Sequence, residues 1–137
     1  MDVVLTTVAS DSHTWNLTYL QVLLTELGHR VTNLGPCVPD EVIVHECCHR
    51  RPDLIVVCSV NGHGFHDGKR IVARLRSCPE TREAPVVIGG SLGIGGTDGG
   101  ARSRALRAAG FDEVFEGGAA VDEFCAYVSS LCAELPA

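Results

Sequence analysis

Asp11 and His13 stand two residues apart, just after the first apolar run of the sequence. At this spacing a carboxylate can accept a hydrogen bond from one ring nitrogen of the histidine while the other nitrogen binds a metal ion. Such a partner fixes the imidazole tautomer and strengthens the ligand. Taken alone, the two residues favour a plainer alternative, in which Asp11 caps the following helix and His13 lies on the surface.

A second pair of histidines, His45 and His49, matches the zinc-protease pattern H-E-x-x-H. Spaced four residues apart, both imidazoles would lie on one face of a helix. The same helix has an apolar stripe that must face the core, formed by Ile43, Val44, Cys47 and Cys48. We therefore expect His45 and His49 to point to solvent and the match to be fortuitous.

Three other features admit plain interpretations. The segment Gly93-Ile94-Gly95-Gly96 suggests a phosphate loop, but no Gly-Lys-Ser/Thr follows it, so nucleotide hydrolysis is not expected. His63 and His66 are interpreted as a polar loop and the start of a helix. Trp15, the only tryptophan, is more typical of a core or interface anchor than of a stacking platform.

Composition limits the classes of protein to which the chain can belong. Its 137 residues, 45% apolar and 20% charged, predict one globular domain over 1–137. Seven cysteines, an odd number without paired metal spacing, predict reduced thiols. The net charge of -6 argues against a nucleic-acid partner. With no basic leader and no membrane-length apolar stretch, we expect a cytoplasmic protein without membrane contact.

Apolar runs alternate with longer helical patterns, which indicates βαβ units and a parallel sheet. The predicted strands are Val3–Val8, Arg30–Leu34, Leu54–Cys58, Val86–Ile88 and Glu113–Phe115. The predicted helices are Thr14–Leu27, Pro39–Arg50, His66–Ser77, Gly100–Ala109 and Ala120–Glu134.

Right-handed crossovers close these elements into a doubly wound α/β fold, a five-stranded parallel sheet of flavodoxin-like (Rossmann-like) order 2-1-3-4-5. In such a sheet, ligands bind at the carboxyl ends of the strands, near the switch point between the first and third. The loops at that edge cover 9–13, 59–64 and 89–96, and the last two are rich in glycine, which allows close approach of a ligand. Asp11 and His13 belong to this edge.

Three segments of these loops share a pattern with a known family. They read Asp11-Ser12-His13-Thr14-Trp15-Asn16, Cys58-Ser59-Val60 and Gly89-Gly90. Over nearly its full length the sequence resembles the cobalamin-binding small subunit of glutamate mutase, which has Asp-x-His-x-x-Gly, Ser-x-Leu and Gly-Gly at these places. The chain departs from the family at three positions. Asn16 stands where the first pattern has Gly, and Cys58 stands where the second has Ser. Ala119 stands where related domains often have threonine.

The resemblance implies a cobalamin bound with its own base displaced, His13 serving as the axial ligand to cobalt and Asp11 orienting it. The displaced base and its tail are implied to enter between the first and third strands. The cofactor-binding residues implied are Ser10, Asp11, Ser12, His13, Thr14, Trp15, Asn16, Cys58, Ser59, Val60, Gly62, Gly89, Gly90, Ser91, Leu92, Gly93, Gly117 and Gly118.

In that family adenosylcobalamin starts a radical rearrangement of glutamate to 3-methylaspartate, and the substrate site belongs to a separate barrel-type large subunit. The resemblance therefore implies a subunit of a heteromeric isomerase that is inactive alone and has no catalytic residue of its own. Its amino-acid substrate is implied to be held by the partner. Two alternatives stay open: a corrinoid carrier for methyl transfer, which commonly has a preceding helical cap, and a cobalamin-free regulatory domain, suggested by Asn16, Cys58 and Ala119.

Overall fold

A computed structural model of the chain describes residues 1–93 and 100–136. Residues 94–96 of the glycine segment compared with a phosphate loop lie outside the described residues. The strands are β1 Asp2–Thr6, β2 Arg30–Asn33, β3 Leu54–Ser59, β4 Val86–Gly90 and β5 Glu113–Phe115. The helices are α1 Trp15–Glu26, α2 Asp40–Arg50, α3 Gly64–Ser77, α4 Ala101–Ala109 and α5 Ala120–Glu134. All pairings are parallel in the order β2-β1-β3-β4-β5, which confirms the predicted topology.

The strands position the site because their side chains alternate between two buried faces. One face of the sheet packs against α2, α3 and α4, and the other packs against α1 and α5. β3 lies at the centre and is buried along its whole length, with Ile55 and Val57 on the first face and Val56 and Cys58 on the second. Fully burying one such aliphatic side chain contributes about 1.5–3 kcal/mol. The carboxyl ends of β1, β3 and β4 therefore meet at a well-supported edge.

Some predicted boundaries are wrong, for identifiable reasons. β1 ends at Thr6, not Val8, because Thr6 is its last residue paired with β3. α3 begins at Gly64, not His66, and a Cβ at Gly64 would lie 2.8 Å from Leu92 and 2.9 Å from Ser59. The missing side chain lets the start of α3 pack directly on the sheet.

The two histidines of the zinc-protease match point to solvent, as the apolar stripe of α2 predicts. His45 and His49 are exposed on α2, with ring centroids 6.3 Å apart, while Ile43 and Cys47 beside them are buried. Within residues 1–93 and 100–136, no group of three or more His, Cys, Asp or Glu side chains is placed to hold a metal ion. In the same part of the chain, no helix is both long and apolar enough to span a bilayer.

Candidate functional site

The Asp11 carboxylate joins the first and third loops at the carboxyl edge of the sheet. Asp11 is completely buried, and its Oδ1 accepts a hydrogen bond from the backbone N–H of His13 at 2.9 Å. The same oxygen lies 2.7 Å from His13 Nδ1. Its Oδ2 accepts hydrogen bonds from the N–H of Val60 at 2.8 Å and the Ser59 hydroxyl at 3.1 Å. Asp11 therefore does not cap α1, whose N-cap residue Thr14 has no side-chain capping bond.

This geometry fixes the role of each His13 nitrogen. Nδ1 donates its proton to the carboxylate, so the unprotonated Nε2 is the nitrogen available to a metal. The His13 side chain is 58% exposed, in contrast to the buried Asp11 that holds it. His13 is therefore a single candidate ligand at the surface, and the buried carboxylate of Asp11 fixes its tautomer.

Asp11 is anionic at neutral pH in spite of its burial. Burial raises the pKa of the carboxyl group, but hydrogen bonds from His13 and Val60, with that of Ser59, lower it more. The resulting pKa lies below the ordinary value of 3.8. A negative charge next to Nδ1 strengthens the imidazole as a ligand for a metal cation.

A chain of polar contacts continues from Asp11 into α3. The Ser59 hydroxyl is 3.1 Å from Asn61 Oδ1, and Asn61 Nδ2 donates to the Ser10 hydroxyl at 3.0 Å. Ser10 in turn donates to Asp67 Oδ2 at 2.6 Å. Sequence reasoning missed Asn61 and Asp67, although Asn61 lies in a loop already assigned to the binding edge. These contacts hold the loops around His13 in place before any ligand binds.

A cavity of about 190 Å³ opens beside this network, on the face of the sheet covered by α1 and α5. Its walls are mostly apolar and include Leu20, Val56, Val87, Phe115 and Phe124. The resemblance implied that the displaced base enters between the first and third strands, which stays a prediction; the cavity lies over β3 and β4, next to the paired strands β1 and β3. A flat apolar group fits this space better than a charged one.

Two of the residues that depart from the family pattern contact each other in the wall of this cavity. Asn16 Nδ2 donates to Cys58 Sγ at 2.8 Å. Cys58 is 5% exposed, and burial raises the pKa of its thiol while the Asn16 hydrogen bond only partly opposes the rise. The other polar atom of the amide, Asn16 Oδ1, is buried, and no residue that the structure describes donates a hydrogen bond to it.

The glycines of the predicted site serve the packing of the chain itself. Gly89 and Gly90 line the cavity, and Gly90 has a φ of +116°, with a Cβ there only 2.0 Å from the Ser59 carbonyl oxygen. Gly62 donates its N–H to the Ser91 carbonyl at 3.2 Å. The third and fourth loops therefore meet because these positions lack side chains.

The remaining predicted residues are not all brought to one place. Ser12, Thr14 and Trp15 surround His13 at the surface, and Trp15 is 81% exposed, so it is not a core anchor. Leu92 is fully buried in the core on the face opposite the cavity. Gly93 lies beside a separate open depression, together with Gly62. Gly117 and Gly118 are exposed after β5, with open space around them.

Comparison with known proteins places this chain in a defined family. The model of the B12 binding domain family matches residues 1–121 of the chain. The chain is 32% identical over 113 residues to the glutamate mutase sigma subunit of Halobacterium salinarum, an alignment that covers 82% of this chain and 74% of that protein. The sigma subunit of Treponema denticola is 30% identical over 121 residues, covering 87% and 85%. The chain therefore belongs to the B12 binding domain family, within the glutamate mutase sigma subunits.

Solved structures share the fold at lower sequence identity. A cobalamin-binding protein from Desulfitobacterium hafniense superposes with a TM-score of 0.72 at 21% identity, over 92% of this chain and 58% of that one. The monomethylamine corrinoid protein of Methanosarcina barkeri gives 0.73 at 18% identity, over 93% and 57%. The chemotaxis response regulator CheY4 of Vibrio cholerae gives 0.71 at 14%, over 96% and 98%. Because such different proteins share it, the fold alone does not define the ligand.

Proposed function

We propose that residues 1–137 form the cobalamin-binding small subunit of an adenosylcobalamin-dependent carbon-skeleton mutase of the glutamate mutase type. The observation that carries the proposal is the hydrogen bond between buried Asp11 and His13 Nδ1, which leaves Nε2 directed to the surface. Membership in the B12 binding domain family and similarity to sigma subunits support it.

The described residues fit the group proposed. His13 Nε2 would ligate cobalt, and Asp11 would hold the ring and keep Nδ1 protonated. The apolar cavity over β3 and β4 would take the displaced heteroaromatic base, and Asn16 and Cys58 belong to its lining. When bound, adenosylcobalamin supplies the organic radical chemistry that no side chain can supply. The contribution of this chain is to anchor and orient the cofactor.

The substrate and its acid–base groups belong to a separate barrel-type large subunit, so the active species is a heteromer. L-Glutamate is the proposed substrate and 3-methylaspartate the proposed product. The name sigma subunit, given to several relatives, supports a partner subunit. Under this proposal His13 affects turnover by holding the cofactor and not by moving a substrate proton.

The experiment is reconstitution of the chain with adenosylcobalamin and a glutamate mutase large subunit, with 3-methylaspartate formation as the measurement. We expect turnover with both subunits, none with either alone, and a loss of at least about 100-fold in His13→Ala, by analogy with lost metal ligation. The matched control is His45→Ala, an exposed histidine on α2 that is not part of the cavity lining, which should retain activity.

Failure to form 3-methylaspartate from a cofactor-loaded complex would contradict the mutase assignment. Transfer of a methyl group from a methylated corrinoid held by this chain would instead support the corrinoid carrier. A chain that retains no corrinoid under either condition would support the cobalamin-free regulatory alternative.

A further inference from the structure

Two histidines of α2 lie together on its exposed face and have no part in the proposed cofactor site. His45 and His49 are exposed, and their rings are parallel to within 3°, with centroids 6.3 Å apart. Within residues 1–93 and 100–136, neither ring takes part in a hydrogen bond or an ion pair. A ligand of these nitrogens would therefore break no such contact with the described residues.

The spacing of the two histidines suits a divalent metal ion. Residues four apart on a helix are neighbours on its surface, and zinc sites use this spacing to bind two imidazoles. Metal–nitrogen bonds of about 2.0–2.1 Å bring the ring centroids to roughly 5 Å apart in a tetrahedral arrangement. The rings can close from 6.3 Å to that separation by side-chain rotation, because exposed side chains change rotamer freely.

The glutamate between the histidines does not complete a protease site. Its Glu46 Oε2 accepts a hydrogen bond from Arg50 Nε at 2.9 Å, in an ion pair along the same helix. In the part of the chain that the structure describes, no third His, Cys, Asp or Glu side chain joins the two histidines in a metal-binding group. The histidines therefore supply two ligands and leave the other positions on the metal to water.

We propose that His45 and His49 form a two-histidine surface site that binds a divalent transition-metal ion, Ni²⁺, Cu²⁺ or Zn²⁺, without hydrolytic chemistry. Imidazole nitrogen suits these ions, whereas Mg²⁺ and Ca²⁺ prefer oxygen ligands. His49 borders a depression at the amino ends of β1 and β2, at the opposite edge of the sheet from His13. This site and the proposed cofactor site are therefore separate, and either proposal can fail alone.

Isothermal titration calorimetry with Ni²⁺ tests the site. The full chain carries Cys37→Ser and Cys132→Ser, so that the two exposed thiols do not compete for the ion. We expect one tight site per chain. His45→Ala and His49→Ala should each bind about 100-fold more weakly, because each loses the effective concentration that a second linked ligand provides. Mg²⁺ should give no heat of binding.

A matched control keeps the number of histidines and moves one of them off the shared face. In His49→Ala/Arg50→His the two imidazoles are five residues apart, about 140° around the helix, so this variant should bind as weakly as the single variants. His63→Ala, at the start of α3, should bind like the starting chain. Thermal unfolding without metal checks that every variant is folded, and Ni²⁺ should raise the Tm only where both His45 and His49 are present.

Full affinity in both single variants, or in His49→Ala/Arg50→His, would overturn the inference, because Ni²⁺ would then be bound by other groups. Absence of a heat of binding in the starting chain would overturn it as well. Either result would leave the proposed function standing, since retention of adenosylcobalamin depends on His13 at the other edge of the sheet.

Discussion

The buried carboxylate of Asp11 is the residue on which the site depends. It accepts hydrogen bonds from the backbone of His13 and of Val60, so one side chain joins two loops that lie 49 residues apart in sequence. The same group sets the tautomer of His13. A structural and a ligand-orienting role are therefore combined in Asp11, and a substitution there should affect both.

The pH dependence of stability tests the electrostatic part of this role. The folded-state pKa of Asp11 is lowered relative to 3.8, so its contribution to stability is complete above the ordinary pKa and is lost as the pH falls through the lower folded value. Asp11→Asn should reduce the free energy of unfolding by about 1.5–3 kcal/mol at pH 7, because hydrogen bonds to a buried charge are lost.

Urea unfolding across the acid range provides the measurement. The difference between wild type and Asp11→Asn should shrink as the pH is lowered below about 4, where the unfolded wild-type chain takes up its proton. Glu83→Gln, at an exposed residue, should show no such pattern. A difference that stays constant down to pH 2 would mean that the charge of Asp11 contributes nothing.

The local motif of Asp11 and His13 could be predicted from sequence because its residues are close together in the chain. Their partners could not all be predicted. The contact between Asn16 and Cys58 joins residues 42 positions apart, and it exists only because the first turn of α1 packs over the end of β3. Each residue in isolation looked like a defect of the motif, whereas the structure shows them as a pair.

At the scale of elements, glycines determine how closely the strand-end loops approach each other. Gly90, the last residue of β4, pairs with Ser59 of β3; it has a positive φ and no space for a side chain. The strand order followed from the alternation of apolar runs and helices. The position of the cavity did not, because it depends on how deeply α1 and α5 pack on the sheet, which periodicity does not encode.

Gly90→Ala should therefore destabilise the fold strongly. Gly28→Ala is the matched control: Gly28 has a φ of +91° but nothing within 4 Å of a Cβ, so both variants have backbone strain and only the first has a collision. We expect Gly90→Ala to lower the free energy of unfolding by about 1–3 kcal/mol more than Gly28→Ala, the usual cost of overpacking. Equal losses in chemical denaturation would show that the loops adjust to the added methyl group.

At the scale of the whole molecule, the proposed cofactor would lie on the edge that presents His13, and a partner acting on that cofactor must cover this edge. Trp15 lies there, 81% exposed, followed along α1 by the exposed Tyr19 and Val22. Such an uncovered aromatic side chain is typical of an interface anchor. We expect the large mutase subunit to bury it.

Trp15→Ala should weaken association with the large subunit by at least about tenfold, since truncation of a central tryptophan commonly costs more than 1–2 kcal/mol. The stability of the isolated chain should not change, because the exposed Trp15 side chain contributes little to the core. Val42→Ala, an exposed apolar position on α2, is the control. Unchanged affinity of Trp15→Ala in a titration of the two subunits would place the interface elsewhere.

The most direct test of the central claim is the electron paramagnetic resonance spectrum of the Co(II) cofactor bound to protein labelled with ¹⁵N-histidine. If His13 Nε2 is the axial ligand, the nitrogen splitting changes from the triplet of ¹⁴N to the doublet of ¹⁵N, and His13→Ala loses that doublet. A triplet that survives histidine labelling would show that the cofactor keeps its own base on cobalt. That result, or the absence of nitrogen splitting, would contradict the role assigned to His13.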